Sequence, residues 1–548
     1  MLKKIKKENI IVFILLFALF FQSFISMQKN AMISDETIYF PAGYAYLKTG
    51  NFQIAPYDPP LIKEILALPL LILNPNYEKV TFNENIDRYD YNAVYFPNFL
   101  FKLNKNTGQL LLWARVMSTI ISIIAGFIVY IWAKQLYGTK AGLFALFLYV
   151  FSTTILSFSW LANLETGLMA FILIALYSLW RYFKHPSTKN LIISGIALGL
   201  GISAKTIGIF LIPIFFIILL INRPPKSIKQ VYKNIITFSA LLIIASLTIF
   251  ACYGFQVSTI ASNVHSDGKE AALKTLPDIP ILRYTIEEIP LPLSNYIIQL
   301  YNRFRASNIE WFDAYLLGEH SKKGWRHYYL IEMLIKAQIP LLVFISITAL
   351  LYKKFSKKTK KYDSFLLVPI LFIFIYLSLF NKVNAGIRYI LSIFPFLFIW
   401  VSKIITIKIK KRSLLTYFII IMCLWYIGST LFISPYYISY FNEFIGGPKN
   451  GHNYLVDSDL DWGQDIIRLK NYMEENNIKS MRMNVIGLLD YHNIKHEELE
   501  CGPTTGTIAV SASKLHGFML ENKECYSWLE THKPIKRIGY SIFIYNIT

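Results

Sequence analysis

Eleven apolar runs, most of them close to the roughly 20 residues that a bilayer core requires, constrain this chain more than any other feature of its 548 residues. They lie near 10–27, 111–134, 140–158, 163–182, 188–203, 206–221, 234–253, 331–352, 364–380, 387–405 and 414–432. Hydrophobic residues make up 54% of the sequence and charged residues 16%, against roughly a quarter charged in an ordinary soluble domain. The arithmetic excludes a water-soluble enzyme, a disordered chain and a fibrous repeat. It predicts a mainly α-helical, polytopic membrane bundle of about 11 spans, with room for non-membrane segments.

Charge gives the orientation. The net charge of +21 sits largely in short clusters between apolar runs, which is a topology signal and not a nucleic-acid footprint. The N-terminus carries Lys3, Lys4, Lys6 and Lys7 before a run that is long for a signal peptide and lacks a small-x-small cleavage site. It reads as an uncleaved first span with a cytoplasmic N-terminus. Cytoplasmic joints then carry Lys134 and Lys140; Arg181, Lys184 and Lys189; Arg223, Lys226, Lys229 and Lys233; the lysines of 353–361; and Lys403, Lys408, Lys410, Lys411 and Arg412. This expectation places a 1–432 membrane domain in the plasma membrane, with the 28–108 and 254–330 loops and the 433–548 tail outside the cytoplasm. Alternating apolar stretches at Met481–Leu489, Gly506–Ala512 and Ile535–Tyr545 predict a small α/β domain in that tail. Of four cysteines, Cys252 and Cys423 read as packing in apolar runs, and Cys501 and Cys525 can form one disulfide if the tail is exported. No CxxC or His/Cys zinc spacing occurs.

Ionisable residues at the edge of a bilayer point to function. Asp35 and Glu36 follow the first span in Ser34-Asp35-Glu36-Thr37-Ile38-Tyr39, either as an acidic helix cap or as reacting groups. Glu165 lies at the outer edge of the fourth span, on the same expected face. Cations also occur there against the positive-inside trend: Arg115, Lys205 and Arg388, with Lys63 after the paired prolines Pro59-Pro60 and Lys382 as a snorkelling side chain. Together they fit a lipid-linked phosphate or pyrophosphate, whose oxygens match an arginine fork.

The order Asp35-Glu36-x-x-Tyr39, Pro59-Pro60-Leu61-x-Lys63, Ala114-Arg115-x-x-Ser118, Tyr137-Gly138, Glu165 and Ala204-Lys205 resembles the GT-C glycosyltransferases. More narrowly it resembles the protein O-mannosyltransferase and aminoarabinose transferase group, glycosyltransferase family 39 and its prokaryotic relatives. The likeness continues in Tyr315–Glu319, Gly324-Trp325, Arg388–Leu391 and Tyr440–Pro448, and is most specific in Asp457-Ser458-Asp459-Leu460-Asp461-Trp462-Gly463-Gln464-Asp465. The chain departs from the family at Asp58 (often histidine), Glu165 (commonly aspartate) and Asp459 (usually asparagine).

The resemblance implies a GT-C fold with two amphipathic helices in the first outer loop. It implies a sugar transferred from a polyprenyl-phosphate donor to an extracytoplasmic protein, lipid or glycan acceptor, with inversion. Asp35 would be the general base, helped by Glu36 or Glu165, and Lys63, Arg115, Lys205 and Arg388 would bind the donor phosphate. A divalent metal is optional in this scheme, because these cations can neutralise a monophosphate. The Asp457, Asp459, Asp461, Trp462 and Asp465 stretch is not an EF-hand: glycine falls one place late and Arg468 stands at the twelfth position. The alternatives are a lipid-linked glycan transporter, or a polysaccharide ligase or polymerase. A sensor would need a cytoplasmic segment long enough to fold, which this sequence lacks. The orientation has a direct test. Single cysteines at positions 50 and 480 should react with an impermeant reagent in intact protoplasts, and one at 357 should not; labelling at 357 alone would reverse the topology.

Overall fold

The computed structural model describes residues 7–77, 95–260, 280–308, 312–407 and 414–548. The N-terminal lysines up to Lys6 and the basic stretch 408–413 lie outside them. The apolar runs are helices throughout. Six are long and apolar enough to cross a membrane: Lys7–Lys29, Thr107–Tyr137, Leu164–Lys184, Ile228–Cys252, Ile387–Thr406 and Leu414–Ile433. Two bent pairs, Thr139–Val150 with Thr153–Ser159 (61°) and Tyr328–Lys336 with Ile339–Leu350 (113°), raise the number to eight if each is one span. The chain is thus a multi-pass membrane protein, but about 11 spans are not established. Thr188–Ala204, Thr206–Asn222 and Ser364–Phe380 have 10–17 residues, and at 1.5 Å per residue such helices reach at most about 26 Å across a core of about 30 Å.

The chain divides into two compact units. One comprises Asp35–Ser118 and Ala162–Asn308. Three of its helices start on side-chain caps: Asn163 Oδ1 accepts from Thr166 N, Ser187 Oγ from Asn190 N and Ser227 Oγ from Gln230 N. Close packing depends on glycine at two places. A Cβ on Gly43 would lie 1.9 Å from the Lys63 carbonyl oxygen, and one on Gly199 would lie 2.6 Å from that of Ala245. The first contact brings the Ser34–Thr49 helix onto the start of Leu61–Ala67; the second joins Thr188–Ala204 to Ile228–Cys252. Just past the latter helix, β1 (Val257–Ser258) pairs antiparallel with β2 (Leu291–Pro292).

The other unit comprises Met1–Ser34, Thr119–Leu161 and Ile309–Thr548. Its two bent helix pairs are tied by one buried amide. Gln338 Oε1 accepts from Thr153 N at 3.1 Å, while its Nε2 donates to Tyr426 O at 2.8 Å and Thr430 Oγ1 at 3.0 Å. Lys403 Nζ donates to Asp363 Oδ1 at 2.6 Å, and the rings of Tyr137, Tyr352, Phe355 and Trp400 surround it with centroids 5.2–5.6 Å away. A lysine that reads as a topology signal is therefore fully buried. A hairpin of β3 (Ala314–Leu316) and β4 (Glu319–Ser321) turns through Leu317 and Gly318, both with positive φ.

The 433–548 segment carries the expected sheet. Its order is β6-β5-β7-β9-β8, with β5 (Met481–Asn484) parallel to β6 (His496–Glu498) and β7 (Gly506–Ser511). β9 (Ile542–Ile547) runs antiparallel to both β7 and β8 (Lys536–Ile538). The Ile466–Glu475 helix covers one face through Ile466, Leu469 and Met473. Cys501 and Cys525 are bonded, with Cα atoms 4.8 Å apart.

Near this sheet His452 Nδ1 and His516 Nε2 lie 3.0 Å apart, and His320 bridges Asp313 and the His516 carbonyl. Burial, then the charges of His516 and Arg537, pushes His452 down to about 3; burial, then His320, pushes His516 down to about 4. Both folded-state values lie below the unfolded one, so the pair's stabilisation is present above about pH 6.5 and is lost as pH falls toward 4. Asp461, raised to about 7 by burial first, acts in the opposite direction. The test is therefore a difference: the Tm advantage of the wild type over His452→Gln/His516→Gln should shrink between pH 7 and pH 5. An advantage that grows with acid would disprove the assignment.

Candidate active site

The acidic motif opens a helix. Asp35 and Glu36 fall in the first turn of Ser34–Thr49, where exposed amides and the helix dipole favour carboxylates. Adjacent helical residues diverge by about 100°, and the two carboxylates have different surroundings. Asp35 is half-buried, whereas Glu36 is inaccessible.

Glu36 is met by Arg115 in a bidentate pair. Arg115 Nε donates to Oε1 at 2.8 Å and its terminal nitrogen to Oε2 at 2.7 Å, with the two side chains 2% and 0% exposed. Ala162 N also donates to Glu36 Oε1, at 3.0 Å. The arginine expected at a donor phosphate is thus held by the second carboxylate of the motif, and the two anchor the start of the helix to the 162 turn.

Glu165 and Lys205 form a second buried pair, with Lys205 Nζ 2.8 Å from Glu165 Oε1. Asn163 caps the helix that carries Glu165. Lys205 sits in extended backbone (φ −161°, ψ 155°) between the Thr188–Ala204 helix and a Thr206–Phe210 turn. That break exposes the Thr206 amide, and Asp58 takes it: Oδ1 accepts from Thr206 N at 3.1 Å and from its hydroxyl at 2.9 Å. Burial alone would raise Asp58, but Arg303, Lys205, Lys63 and the Thr206 amide hold it below the usual carboxylate range.

Lys63 is also committed. Its ammonium donates to the carbonyls of Ala55 and Asp58, each at 2.7 Å, and to the Tyr46 hydroxyl at 3.2 Å. Burial is the first cause that lowers it to about 8. It staples the 55–58 turn in this structure and makes no ion pair among the described contacts. Sequence reasoning recorded Asp58 only as a departure from the family, and missed its part in docking the 55–58 turn onto the 205–206 break. The signal was there: an aspartate before two prolines has a side chain but little local backbone to bond.

Arg388 and the 457–465 stretch belong to the other unit. Arg388 Nε donates to Ala385 O at 2.9 Å, and its guanidinium lies 4.6 Å from the Trp462 ring centroid. Asp459 Oδ1 accepts from Ile387 N at 3.1 Å and Oδ2 from the Tyr328 hydroxyl at 3.3 Å. Asp461 Oδ2 accepts from Ser513 N at 3.1 Å, and Asp465 Oδ2 from Ser541 Oγ at 2.7 Å. Gln464 O accepts from Ala31 N at 2.9 Å, and Arg468 donates to Asn30 Oδ1 at 3.1 Å. Lys336, buried on Tyr328–Lys336, donates to the carbonyls of Ile438 and Asp459. Sequence reasoning missed Glu332 and Lys336, two ionisable residues four apart in an apolar run, a spacing that puts them on one helix face. The 457–465 stretch is a hydrogen-bonded knot. Among the described residues no three His, Cys, Asp or Glu side chains converge as a metal site.

Removing either partner of a buried ion pair leaves an uncompensated charge, at about 3–5 kcal/mol. Arg115→Ala and Glu36→Gln should each lower the thermal stability of the purified protein strongly, and Asp35→Asn should not. Unchanged Tm in Arg115→Ala would mean that the pair does not anchor this helix.

Residues 93–250 match the family model described as dolichyl-phosphate-mannose-protein mannosyltransferase. No protein among the curated sequences matches the chain. Similar solved structures include ArnT from Cupriavidus metallidurans bound to undecaprenyl phosphate, at 9% identity and TM-score 0.48, over 97% of each chain. The oligosaccharyltransferase of Archaeoglobus fulgidus is similar at 11% identity and TM-score 0.43, over 76% of this chain and 55% of that one. The S. cerevisiae protein O-mannosyltransferase Pmt1–Pmt2 complex is similar at 19% identity and TM-score 0.33, over 46% and 34%. At these scores the structural likenesses stand as similarity alone. By the family match, the stretch that contains Arg115, Glu165 and Lys205 is similar to the dolichyl-phosphate-mannose-protein mannosyltransferases.

Proposed function

We propose that this chain is a membrane glycosyltransferase of the GT-C type that transfers a sugar, with inversion, from a polyprenyl-phosphate donor to an acceptor outside the cytoplasm. The observation that carries the reading is the division of labour in the acidic motif. Glu36 is buried and neutralised by Arg115, while Asp35, one residue earlier, stays half-buried in the first helical turn. A general base must reach a substrate proton, so Asp35 qualifies and Glu36 does not. The family match over 93–250 and the 457–465 motif support the same reading.

In this mechanism an acceptor hydroxyl attacks the anomeric carbon from the face opposite the phosphate. Asp35 takes the hydroxyl proton as the new carbon–oxygen bond forms. The bond from the anomeric carbon to the phosphate oxygen breaks, and its electron pair leaves with the lipid phosphate. Lys205 is the cation of the Asp35 unit that we assign to that phosphate, in exchange for Glu165. Charged donors placed before the reaction stabilise the leaving group without reorganising. Arg115 and Lys63, first expected at the phosphate, act instead as positioning residues. The Cys501–Cys525 bond accords with an exported tail.

The test uses reconstituted protein with radiolabelled polyprenyl-phosphate sugars and cell-envelope acceptors. Asp35→Asn should remove nearly all turnover, at least about 10²-fold, while donor binding and Tm persist. Lys205→Ala should weaken donor binding. Near-normal turnover in Asp35→Asn would overturn the base assignment, and no transfer from any donor by the wild type would overturn the transferase.

A further inference from the structure

The Ser34–Thr49 helix that begins with the acidic motif ends at a groove. It has a volume of about 510 Å³ and is lined by Thr49, Gly50, Asn51, Phe52, Gln53, Gln256, Val257, Ser258 and Asn295. That volume falls within the ~300–1,000 Å³ of small-molecule sites. The chemistry of the wall is unusual for this chain. Among the described residues that line it none is charged, although the sequence carries 55 lysines and arginines. Lys48, next in sequence, turns away and donates to Asn74 Oδ1 at 3.1 Å. Four carboxamides and two hydroxyls remain (Asn51, Gln53, Gln256, Asn295, Thr49 and Ser258). Each of these groups both donates and accepts hydrogen bonds.

The wall is also preorganised. Gln256 Nε2 donates to Gly50 O at 2.6 Å, which ties the helix end to the approach to β1. Gly50 has φ +66°, a conformation that suits glycine. Asn51 N donates to Thr49 Oγ1 and Gln53 N to Asn51 Oδ1, so the loop holds its own shape. Phe52 is buried between the rings of Tyr46 and Tyr253, and anchors the loop from below. Asn295 is 7% exposed and reaches Gln256 Oε1 at 3.4 Å.

Among the described lining residues an anion would find no cation and a charged peptide no counter-charge. A saccharide presents hydroxyls that donate and accept in the same way as the wall. We propose that this groove binds an uncharged, hydroxyl-rich saccharide. Resting on the transferase reading, that saccharide is a non-reacting part of the acceptor glycan. Fourteen residues separate Asp35 from Thr49, about 21 Å of helix, so the groove cannot hold the reacting sugar. Its contacts act on the ground state and the transition state alike, which changes KM and leaves kcat.

The test measures binding to the full chain in nanodiscs, without any donor, of mannotriose, cellotriose and N-acetylchitotriose. A neutral Ser/Thr heptapeptide and inorganic phosphate serve as comparators. At least one trisaccharide should bind. Gln256→Ala should weaken it about fivefold, as for one lost neutral hydrogen bond, and Val257→Trp should block it. Val257 is 55% exposed, so a large side chain there fills the groove without entering a core. Retained Tm in Val257→Trp shows that the loss is local. Binding by no trisaccharide, binding unaffected by Val257→Trp, or binding of the heptapeptide in place of the sugars would overturn the proposal. Asp35→Asn should bind the trisaccharide normally. A protein that binds it but transfers no sugar would refute the transferase and leave the groove standing.

Discussion

A charge taken out of water beside a bilayer costs several kcal/mol unless a partner meets it, and the placement of this chain's helices follows from how those charges are met. Glu36 meets Arg115, Glu165 meets Lys205 and Asp363 meets Lys403. Two further lysines, Lys63 and Lys336, point their ammonium groups at backbone carbonyls. Each bond fixes a break or an end of a helix: the 55–58 turn, the extended residue at 205, the bend after 336. Such breaks leave peptide groups without intrahelical partners, and lipid offers none. The ionisable residues therefore solve two problems at once, neutralising one another and satisfying the backbone where helices stop.

That economy changes what an outer-face cation means. Counting Lys63, Arg115, Lys205 and Arg388 as four phosphate ligands treats each as idle until the donor arrives. In the Asp35 unit two have carboxylates and the third has carbonyls. A bidentate arginine in a fully buried pair has little to gain by moving, because its carboxylate would be stranded. A lysine at the edge of a helix break, with a point charge and no bidentate fork, exchanges its partner for a phosphate oxygen more easily. The distinction between anchor and ligand thus follows from geometry, not from residue type.

Much of the fold was legible because its signals are local. Apolar runs fix where helices form, and alternation in Gly506–Ala512 and Ile535–Tyr545 marked β7 and β9. What stayed hidden is long-range. Arg115 finds Glu36 across 79 residues, and Lys205 finds Glu165 across 40, with no spacing rule that links them. The bends at Ser152 and Gln338 interrupt runs that read as continuous spans, and the Gln338 side chain joins them, accepting from Thr153 N past the first bend and donating to Tyr426 O and Thr430 Oγ1 of a third helix. The 457–465 motif was recognisable as specific and as no EF-hand, but not which groups its aspartates meet: the structure uses them as acceptors for backbone amides and hydroxyls.

That knot ties the far end of the sequence to the end of its first helix. Gln464 O accepts from Ala31 N, and Arg468 reaches Asn30 across 438 residues, while Asp465 is bound both by Arg468 and by Ser541 beside β9. The backbone held this way leads, four residues on, into Asp35. A base that must meet a hydroxyl proton within about 3 Å tolerates little wander, and the end of a membrane span supplies no rigid support of its own. Asn30 and Ala31 are held instead by a segment that carries a five-stranded sheet and a disulfide. The aspartates of 457–465 thus act within a hydrogen-bonded knot whose neighbours Gln464 and Arg468 hold Ala31 and Asn30, and the base we propose at Asp35 follows a few residues further along the chain.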